Sequence, residues 1–143
     1  MPDRFEVREL TEQECWALVD GTPVGRLAFV LGGRPRVYPV NVVRDGRTIV
    51  YRTSAESELG ATRDADVALE LDGLESGRQE AWSVIVAGHA GAVTDPDELD
   101  EIAGLALFPW PTSPKGLFVR IQPEAISGRR FVTPYAGPTG FRR

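Results

Sequence analysis

Several residue types on which protein chemistry depends are scarce in this sequence. It contains one cysteine, Cys15, and one histidine, His89, among 143 residues. A lone cysteine excludes an internal disulfide, and so few sulfur and imidazole ligands make a conventional zinc site unexpected. Nothing near either residue in the sequence supplies a catalytic partner. We therefore predict that Cys15 packs in the core and that His89 is structural.

Common functional signatures are also missing. The sequence has no G-x-x-x-x-G-K-[ST] loop, no G-x-G-x-x-G after a strand, no G-x-S-x-G elbow and no C-x-x-C pair. No apolar run approaches the roughly 18 residues of a membrane-spanning helix, and the N-terminus does not resemble a signal peptide. With 21 acidic and 16 basic residues the net charge is -5, and no basic block offsets it. We expect a cytoplasmic protein that binds neither nucleic acid nor membrane.

The sequence does contain many short strand patterns. Runs rich in β-branched and aromatic residues are separated by Gly32-Gly33 and Asp45-Gly46, which are typical of hairpin turns. Later runs at 66–74, 81–93, 117–123 and 125–132 predict further strands, and Gly88 and Gly91 suggest a bulge or bend. About six or seven short strands without regular βαβ alternation favour a mainly β fold, a small antiparallel barrel.

Helix signals are few and local. Thr11 and Glu14 form a capping-box pattern before an apolar helical spacing that stops at Gly21. Asp95 and Pro96 predict the cap and first position of a second helix, whose acidic residues suit its first turn better than a metal site. A third, short helical segment covers 54–63. We predict one domain over 1–132 and an irregular tail over 133–143.

One stretch concentrates ligand-binding groups where a strand meets a helix. Arg52, Thr53 and Ser57 offer a guanidinium and hydroxyls suited to a phosphomonoester, and Asn41 offers an amide suited to a heterocycle edge. Pro39 within a strand indicates an edge or bulge where the backbone is free to contact a ligand. An alternative interpretation of this segment is a solvated strand end with an N-cap at Ser54. Two roles also stay open for Trp110, which either closes the end of the barrel or lines the site of a planar ligand.

Taken in order, several segments resemble the pyridoxamine 5'-phosphate oxidase-like, flavin-binding split-barrel family, in particular its short actinobacterial-type members. They are "CWALVDGTPVGRLAF", "VYPVNVV", "IVYRTSAESELGA", "VALELDGL", "WSVIVAGHAGAVTD", "LFPW" and "GRRF", spread over about residues 8 to 132. The resemblance implies a six-stranded antiparallel split β-barrel of Greek-key type. It also implies a homodimer with two cofactor sites in the interface. The family's cofactor is usually FMN, and sometimes a deazaflavin or haem.

The resemblance also assigns site residues. Val37 to Val42, with Tyr38, Pro39 and Val40, would lie along the isoalloxazine ring, and Asn41 would meet its polar edge. Arg52, Thr53 and Ser57 would contact the ribityl phosphate. Trp82 and Ser83 would approach the ring, from the partner subunit in one arrangement, while Arg26 and Arg129 are weaker candidates for anion contacts. No catalytic side chain is identified, and no metal is expected.

The sequence departs from the family pattern at Glu58, where many members have a lysine. An anion beside a phosphate replaces attraction by repulsion, by about 1 to 4 kcal/mol depending on the effective dielectric. Three outcomes stay open. Glu58 points to solvent, Arg52 and Arg129 compensate for it, or the site has shifted to another cofactor or been lost.

The resemblance therefore predicts a homodimeric, FMN-dependent oxidoreductase that passes hydride or electrons between a reduced nicotinamide and a small acceptor. Such a protein mainly binds and orients its cofactor, so few catalytic side chains are needed. Oxidation of pyridoxamine phosphate itself is not expected, because the chain is short and shows no further basic substrate-phosphate site. The alternatives are a cofactor-binding or flavin-free split-barrel dimer without turnover, and a deazaflavin-dependent reductase.

Overall fold

The computed structural model describes residues 6–75, 77, 79–105 and 116–132. Strands dominate it, with two α-helices and one 3-10 helix. In chain order the elements are β1 (Glu6–Glu9), α1 (Glu12–Asp20), β2 (Val24–Leu31), β3 (Arg34–Asp45), β4 (Thr48–Ser54), the 3-10 helix (Glu58–Arg63), β5 (Asp64–Glu75), β6 (Glu80–Ala92), α2 (Pro96–Ala103) and β7 (Gly116–Val132). No helix among these residues is long and apolar enough to cross a membrane.

The strands form one antiparallel sheet in the order β1-β7-β4-β3-β2-β5-β6, and a further pairing of β6 with β7 closes it into a barrel. The closed ring thus contains six strands, and β1 is an added edge strand on β7. Strand β5 returns to pair with β2 on the far side of the β2-β3-β4 meander. This arrangement is a Greek key. The predicted six-stranded barrel is confirmed, and β1 was not predicted.

The hairpins and helix ends follow the local signals. Gly32, Gly33 and Gly46 all have positive φ, as their tight turns require. Helix α1 has the full capping box between Thr11 and Glu14, in which each side chain bonds the other residue's backbone N–H. Helix α2 is capped by Asp95, whose carboxylate accepts from the Glu98 N–H at 3.1 Å. These elements confirm the sequence predictions.

The barrel interior is filled by the inward side chains of every strand of the ring, because successive residues of a strand alternate between the two faces. Tyr51 is fully buried there, and its hydroxyl is hydrogen-bonded to that of buried Thr62 in the 3-10 helix. Burial raises the pKa of Tyr51 to about 12. A second cluster of Val50, Val93 and Ile102 lies under α2, outside the barrel.

The C-terminal strand prediction is wrong in one respect. The two strands expected at 117–123 and 125–132 are a single 17-residue strand, β7. Pro123 does not break it, because the β6–β7 register shifts between Ala87 and Gly88 and leaves Pro123 at the irregularity. Gly88 is required there, since a Cβ on it would stand 2.1 Å from the Gln122 carbonyl oxygen. The predicted bulge at Gly88 is confirmed.

Two sequence predictions fall outside the described residues. They are the irregular tail over 133–143 and the role of Trp110. Cys15, a residue of α1, is fully buried in the core, as expected, and loss of hydration raises the pKa of its thiol.

Candidate functional site

Strands β3 and β4 separate at the candidate site. Their pairing runs from Asp45–Thr48 to Val42–Tyr51. Beyond that pair β3 continues against β2 down to Arg34, whereas β4 continues against β7 to Ser54. The separation leaves one edge of β3 without a β4 partner, including at Pro39, as the proline predicted. Asn41 and Arg52 flank this point, one on each strand.

Arg52 lies on the outer face of β4, directly opposite Phe118 of β7. Its guanidinium carbon lies 5.3 Å from the centre of the Phe118 ring, in a cation–π contact. The Nε atom is buried and has no hydrogen-bond partner within the described part of the chain. A buried donor without an acceptor costs about 1–3 kcal/mol. The position therefore favours a ligand that supplies an acceptor.

Gly116 makes room for this guanidinium. It pairs with Ser54 across the β4–β7 ladder, and a Cβ placed on it would stand 2.3 Å from Arg52 Nε. Any larger residue would force the arginine to move. The absence of a side chain at Gly116 thus leaves space for Arg52, and no local sequence pattern reveals this because it depends on the cross-strand register.

The hydroxyl groups of Thr53 and Ser57 are hydrogen-bonded to each other. The Ser57 hydroxyl donates to the Ser54 carbonyl at 2.8 Å, accepts from the Gly60 N–H at 3.2 Å and lies 2.9 Å from the Thr53 hydroxyl. A hydroxyl has one proton, so Thr53 is the donor in the last pair. Ser57, and not Ser54, is the helix cap. Phosphate binding by Thr53 and Ser57 stays a prediction, and it would require these bonds to rearrange.

Glu58 begins the 3-10 helix and turns toward β3. Its carboxylate accepts from Arg36 Nε at 3.0 Å and from the Tyr38 hydroxyl. These hydrogen bonds, first that of Tyr38 and then that of Arg36, lower the pKa of Glu58 and keep it ionised at neutral pH. The same bond raises the pKa of Tyr38. Glu58 is thus anchored to β3 and does not simply point to solvent.

The predicted ring-binding residues of β3 divide between the two faces of the strand. Tyr38 and Val40 point into the barrel, where Val40 is buried and Tyr38 stacks on Phe29 at 6.0 Å between ring centres. Pro39 and Asn41 lie on the outer face. A ligand along the outer face could meet Pro39 and Asn41 by their side chains, but Tyr38 and Val40 only by their backbone.

The remaining predicted residues lie elsewhere on the barrel. Trp82 is buried in the core. Ser83 pairs with Arg129 across β6 and β7, and both line a surface cavity of about 520 Å³ with Ile85 and Ser127. Arg129 is eleven residues from Phe118 along β7, roughly 35 Å of strand. Ser83 and Arg129 therefore do not meet Arg52 within one chain.

Arg26 and His89 each have carboxylate partners. Arg26 Nη1 lies 3.0 Å from Glu70 and 2.8 Å from Asp72. The exposed ring of His89 lies between Asp66, 3.0 Å from Nδ1, and Asp64, 2.8 Å from Nε2. These contacts, led by that of Asp66, raise the pKa of His89. A structural role for His89 across the β5–β6 pair agrees with this geometry.

Three residues in contact with Glu58 or Arg52 were not predicted from the sequence, namely Arg36, Gly116 and Phe118. A signal for Arg36 was present, because it stands two positions before Tyr38 and so shares its face of β3. No local signal identifies Gly116 or Phe118, since their link to Arg52 comes from strand pairing.

The six-stranded split barrel is the fold that the resemblance to flavin-binding split-barrel proteins implies, and comparison with known proteins agrees. The family described as pyridoxamine 5'-phosphate oxidase matches residues 11–130. The chain belongs to this pyridoxamine 5'-phosphate oxidase-like family, whose members include flavin-binding proteins.

Its relatives are of similar length. An uncharacterized protein of Mycobacterium tuberculosis, Rv0080, is 35% identical over 139 residues, which cover 93% of this chain and 91% of the relative. A Corynebacterium glutamicum structure, named as a provisional pyridoxamine 5'-phosphate oxidase, is 32% identical with a TM-score of 0.80, covering 90% of this chain and 96% of its own. An FAD-binding protein of Mycobacterium smegmatis is also 32% identical, with a TM-score of 0.76 and coverage of 87% and 97%.

Proposed function

We propose that this protein is a flavin-nucleotide-dependent redox protein, with FMN or the related FAD held on the outer face of the barrel where β3 and β4 separate. The observation that carries the proposal is the buried Nε of Arg52, which lacks an acceptor among the described residues and lies beside Gly116 and the Phe118 ring. A phosphoryl oxygen would supply that acceptor through a charge-assisted bond.

The residues present fit such a cofactor. Arg52 would hold the phosphate, and the unpaired edge of β3 around Pro39 would offer backbone groups to the ring. Asn41 lies on the same outer face and would meet the polar edge of the heterocycle. A bound flavin would supply hydride or electron transfer between a reduced nicotinamide and a small acceptor. The chain's own part would be to bind and orient.

A homodimer is part of the proposal. The outer face of β2 and β3 carries exposed apolar side chains, with Val24, Val30 and Val37 exposed by 44%, 67% and 63%. Several apolar side chains exposed on one face of a sheet favour an interaction site there. A second copy seated on this face could also bring Ser83 or Arg129 of its own chain to a cofactor that Arg52 holds, which one chain alone cannot do.

The first experiment is the visible absorption spectrum of the purified protein, with and without added FMN and FAD, followed by release and identification of any chromophore. Stoichiometric flavin, reduced by a nicotinamide in a stopped-flow measurement, is the expected result. A colourless protein whose added flavin passes through a desalting column unbound would refute the proposal.

The dimer has a separate test. Light scattering should give twice the monomer mass, and Val37→Glu should shift the protein to monomer because it places a charge on the β2–β3 face. Val7→Glu is the matched control, since Val7 is comparably exposed, at 52%, on the added edge strand β1. A monomeric parent protein, or an equal effect of both variants, would contradict the proposed interface.

A flavin-free dimer is the second candidate, and the internally bonded hydroxyls of Thr53 and Ser57 favour it. The same absorption experiment decides between the two. A deazaflavin, with its longer acidic tail, has less support, because Arg26, Arg44 and Arg47 are each paired with carboxylates and do not form an open basic groove. Haem also has less support, since His89 is already held between two aspartates.

A further inference from the structure

The ring of Phe118 contacts both the Arg52 guanidinium and the hydrophobic cluster under α2. Arg52 and Phe118 are direct partners in the β4–β7 ladder. Both side chains are on the outer face of the sheet, because the neighbouring residues Tyr51 and Val119 are buried inside the barrel. The guanidinium carbon lies 5.3 Å from the centre of the ring. Phe118 is therefore a direct neighbour of the group that we assign to the phosphate.

Phe118 is itself held by apolar groups. Its side chain packs against the cluster of Val50, Val93 and Ile102, and its carbonyl accepts from the Val93 N–H at 2.9 Å. Ile102 belongs to α2 and is 1% exposed, so the helix covers this cluster. Side chains in a packed cluster stay in a few low-energy rotamers. We therefore expect the ring of Phe118 to keep its place whether or not a ligand is bound.

Two neighbours on β7 confine the guanidinium of Arg52. Gly116 and Phe118 are two residues apart, so they share the outer face of the strand. The guanidinium lies over Gly116, since a Cβ there would stand 2.3 Å from Arg52 Nε. An arginine without such neighbours has many rotamers, and ordering it on binding costs affinity. An arginine that its own chain has already ordered avoids that cost.

We propose that Phe118 is a positioning residue for the flavin nucleotide. Its ring orders the Arg52 guanidinium in advance, so that the guanidinium meets the phosphate with little further loss of rotamer freedom. Phe118 acts through Arg52, and α2 takes part through Ile102, which packs in the cluster that supports the ring. This inference rests on the proposed function, because it concerns how the same arginine binds the same phosphate.

The test compares two ligands that differ only in the phosphate. FMN carries it, and riboflavin has the same ring and ribityl chain without it. Their dissociation constants are measured by quenching of flavin fluorescence in the parent protein and in Phe118→Leu. Leucine keeps an apolar side chain in the cluster but has no ring. We expect the variant to bind FMN about threefold to tenfold more weakly and riboflavin with nearly the parent affinity.

A double-mutant cycle tests whether the effect passes through Arg52. In Arg52→Met there is no guanidinium to order, so adding Phe118→Leu should change the FMN affinity by less than about twofold. Phe118→Tyr keeps the ring and should keep the parent ratio of the two dissociation constants. Phe29→Leu is the matched control, because Phe29 is buried in the barrel and stacks on Tyr38 instead of a cation. It should lower stability and leave the ratio unchanged.

The outcomes separate the positioning role from the proposed function. If neither ligand binds the parent protein, the proposed function fails. If FMN binds but Phe118→Leu changes both dissociation constants by the same factor, or changes neither, flavin binding holds and the positioning role is overturned. An equal effect of Phe118→Leu in the parent and in Arg52→Met would overturn it as well. Phe118→Met, which also lacks the ring, gives the same comparison if Phe118→Leu does not fold.

Discussion

Replacing Arg52 by methionine separates a ligand-binding role from a structural one. Methionine keeps an unbranched apolar stem of similar length, so it retains much of the packing against Phe118 and Gly116. It removes the positive charge and the donors. If Arg52 is purely structural, its replacement should lower both the flavin affinity and the free energy of unfolding of the flavin-free protein. If Arg52 binds the ligand, only the flavin affinity should fall.

The contacts of Arg52 give a magnitude for the change in unfolding free energy and for the change in flavin affinity. Without ligand, the buried Nε of Arg52 costs about 1–3 kcal/mol, and the cation–π contact with Phe118 returns about 0.5–2 kcal/mol. These contributions largely offset each other, so we expect Arg52→Met to change the unfolding free energy by no more than about 1 kcal/mol. A lost hydrogen bond to a charged partner costs about 1.5–3 kcal/mol, which weakens flavin binding by about tenfold to 150-fold.

The assay is a flavin titration paired with urea denaturation of the flavin-free protein. Arg63→Met is the matched control, because Arg63 is an exposed cation at the end of the neighbouring 3-10 helix. It should leave both quantities nearly unchanged. Unaltered flavin affinity in Arg52→Met would refute the phosphate assignment. A loss of stability as large as the loss of affinity would show that Arg52 is structural.

Three further predictions test the surroundings of the site. Gly116→Ala should weaken flavin binding with little loss of stability, because its Cβ would displace the flexible Arg52 guanidinium; equal affinity in a titration would contradict this. Gly88→Ala should lower the unfolding free energy in urea by more than about 2 kcal/mol, because its Cβ meets the rigid Gln122 carbonyl; a parent-like value would show that the bulge can relax. The raised pKa of His89 implies stability that is fully present below its ordinary pKa of about 6.5 and is lost as pH rises through the folded value. His89→Gln should flatten that pH dependence in denaturation curves, and a proton NMR titration of this single histidine should give a midpoint above that of a model peptide.

The parts of the fold that the sequence predicted depend on neighbours in the chain. The capping box of Thr11 and the hairpin turn at Gly46 involve contacts within four residues, so their signals survive in the sequence alone. Pro123 misled the prediction, because a proline ends a strand by local rules but is accepted at a bulge. The irregularity appears only in the pairing of β7 with β6, where Pro123 faces Gly88, 35 residues earlier in the chain, and Glu124 has no partner.

The candidate site was likewise predicted only where its features depend on nearby residues. Arg52 and Asn41 were identified from residue type and spacing, and the structure places them on either side of the β3–β4 separation. The phosphate and ring contacts assigned to them stay predictions until a flavin titration is made. Glu58 was noticed as a departure from the family pattern, but its partner Arg36 lies 22 residues away and was not.

The sequence by itself determined the secondary-structure elements, which are strands with alternating faces and two capped helices. It also determined which functional groups are present, namely an arginine suited to phosphate but no metal-binding or nucleophilic motif. The tertiary structure decided which of those groups meet. The barrel closes through β6 and β7, so Ser83 and Arg129 lie far from Arg52, while Gly116, Phe118 and Arg52 come together. Strand register is a long-range property set by packing of the inward side chains, and a charge such as that of Glu58 acquires its meaning only when that register places it beside its partner.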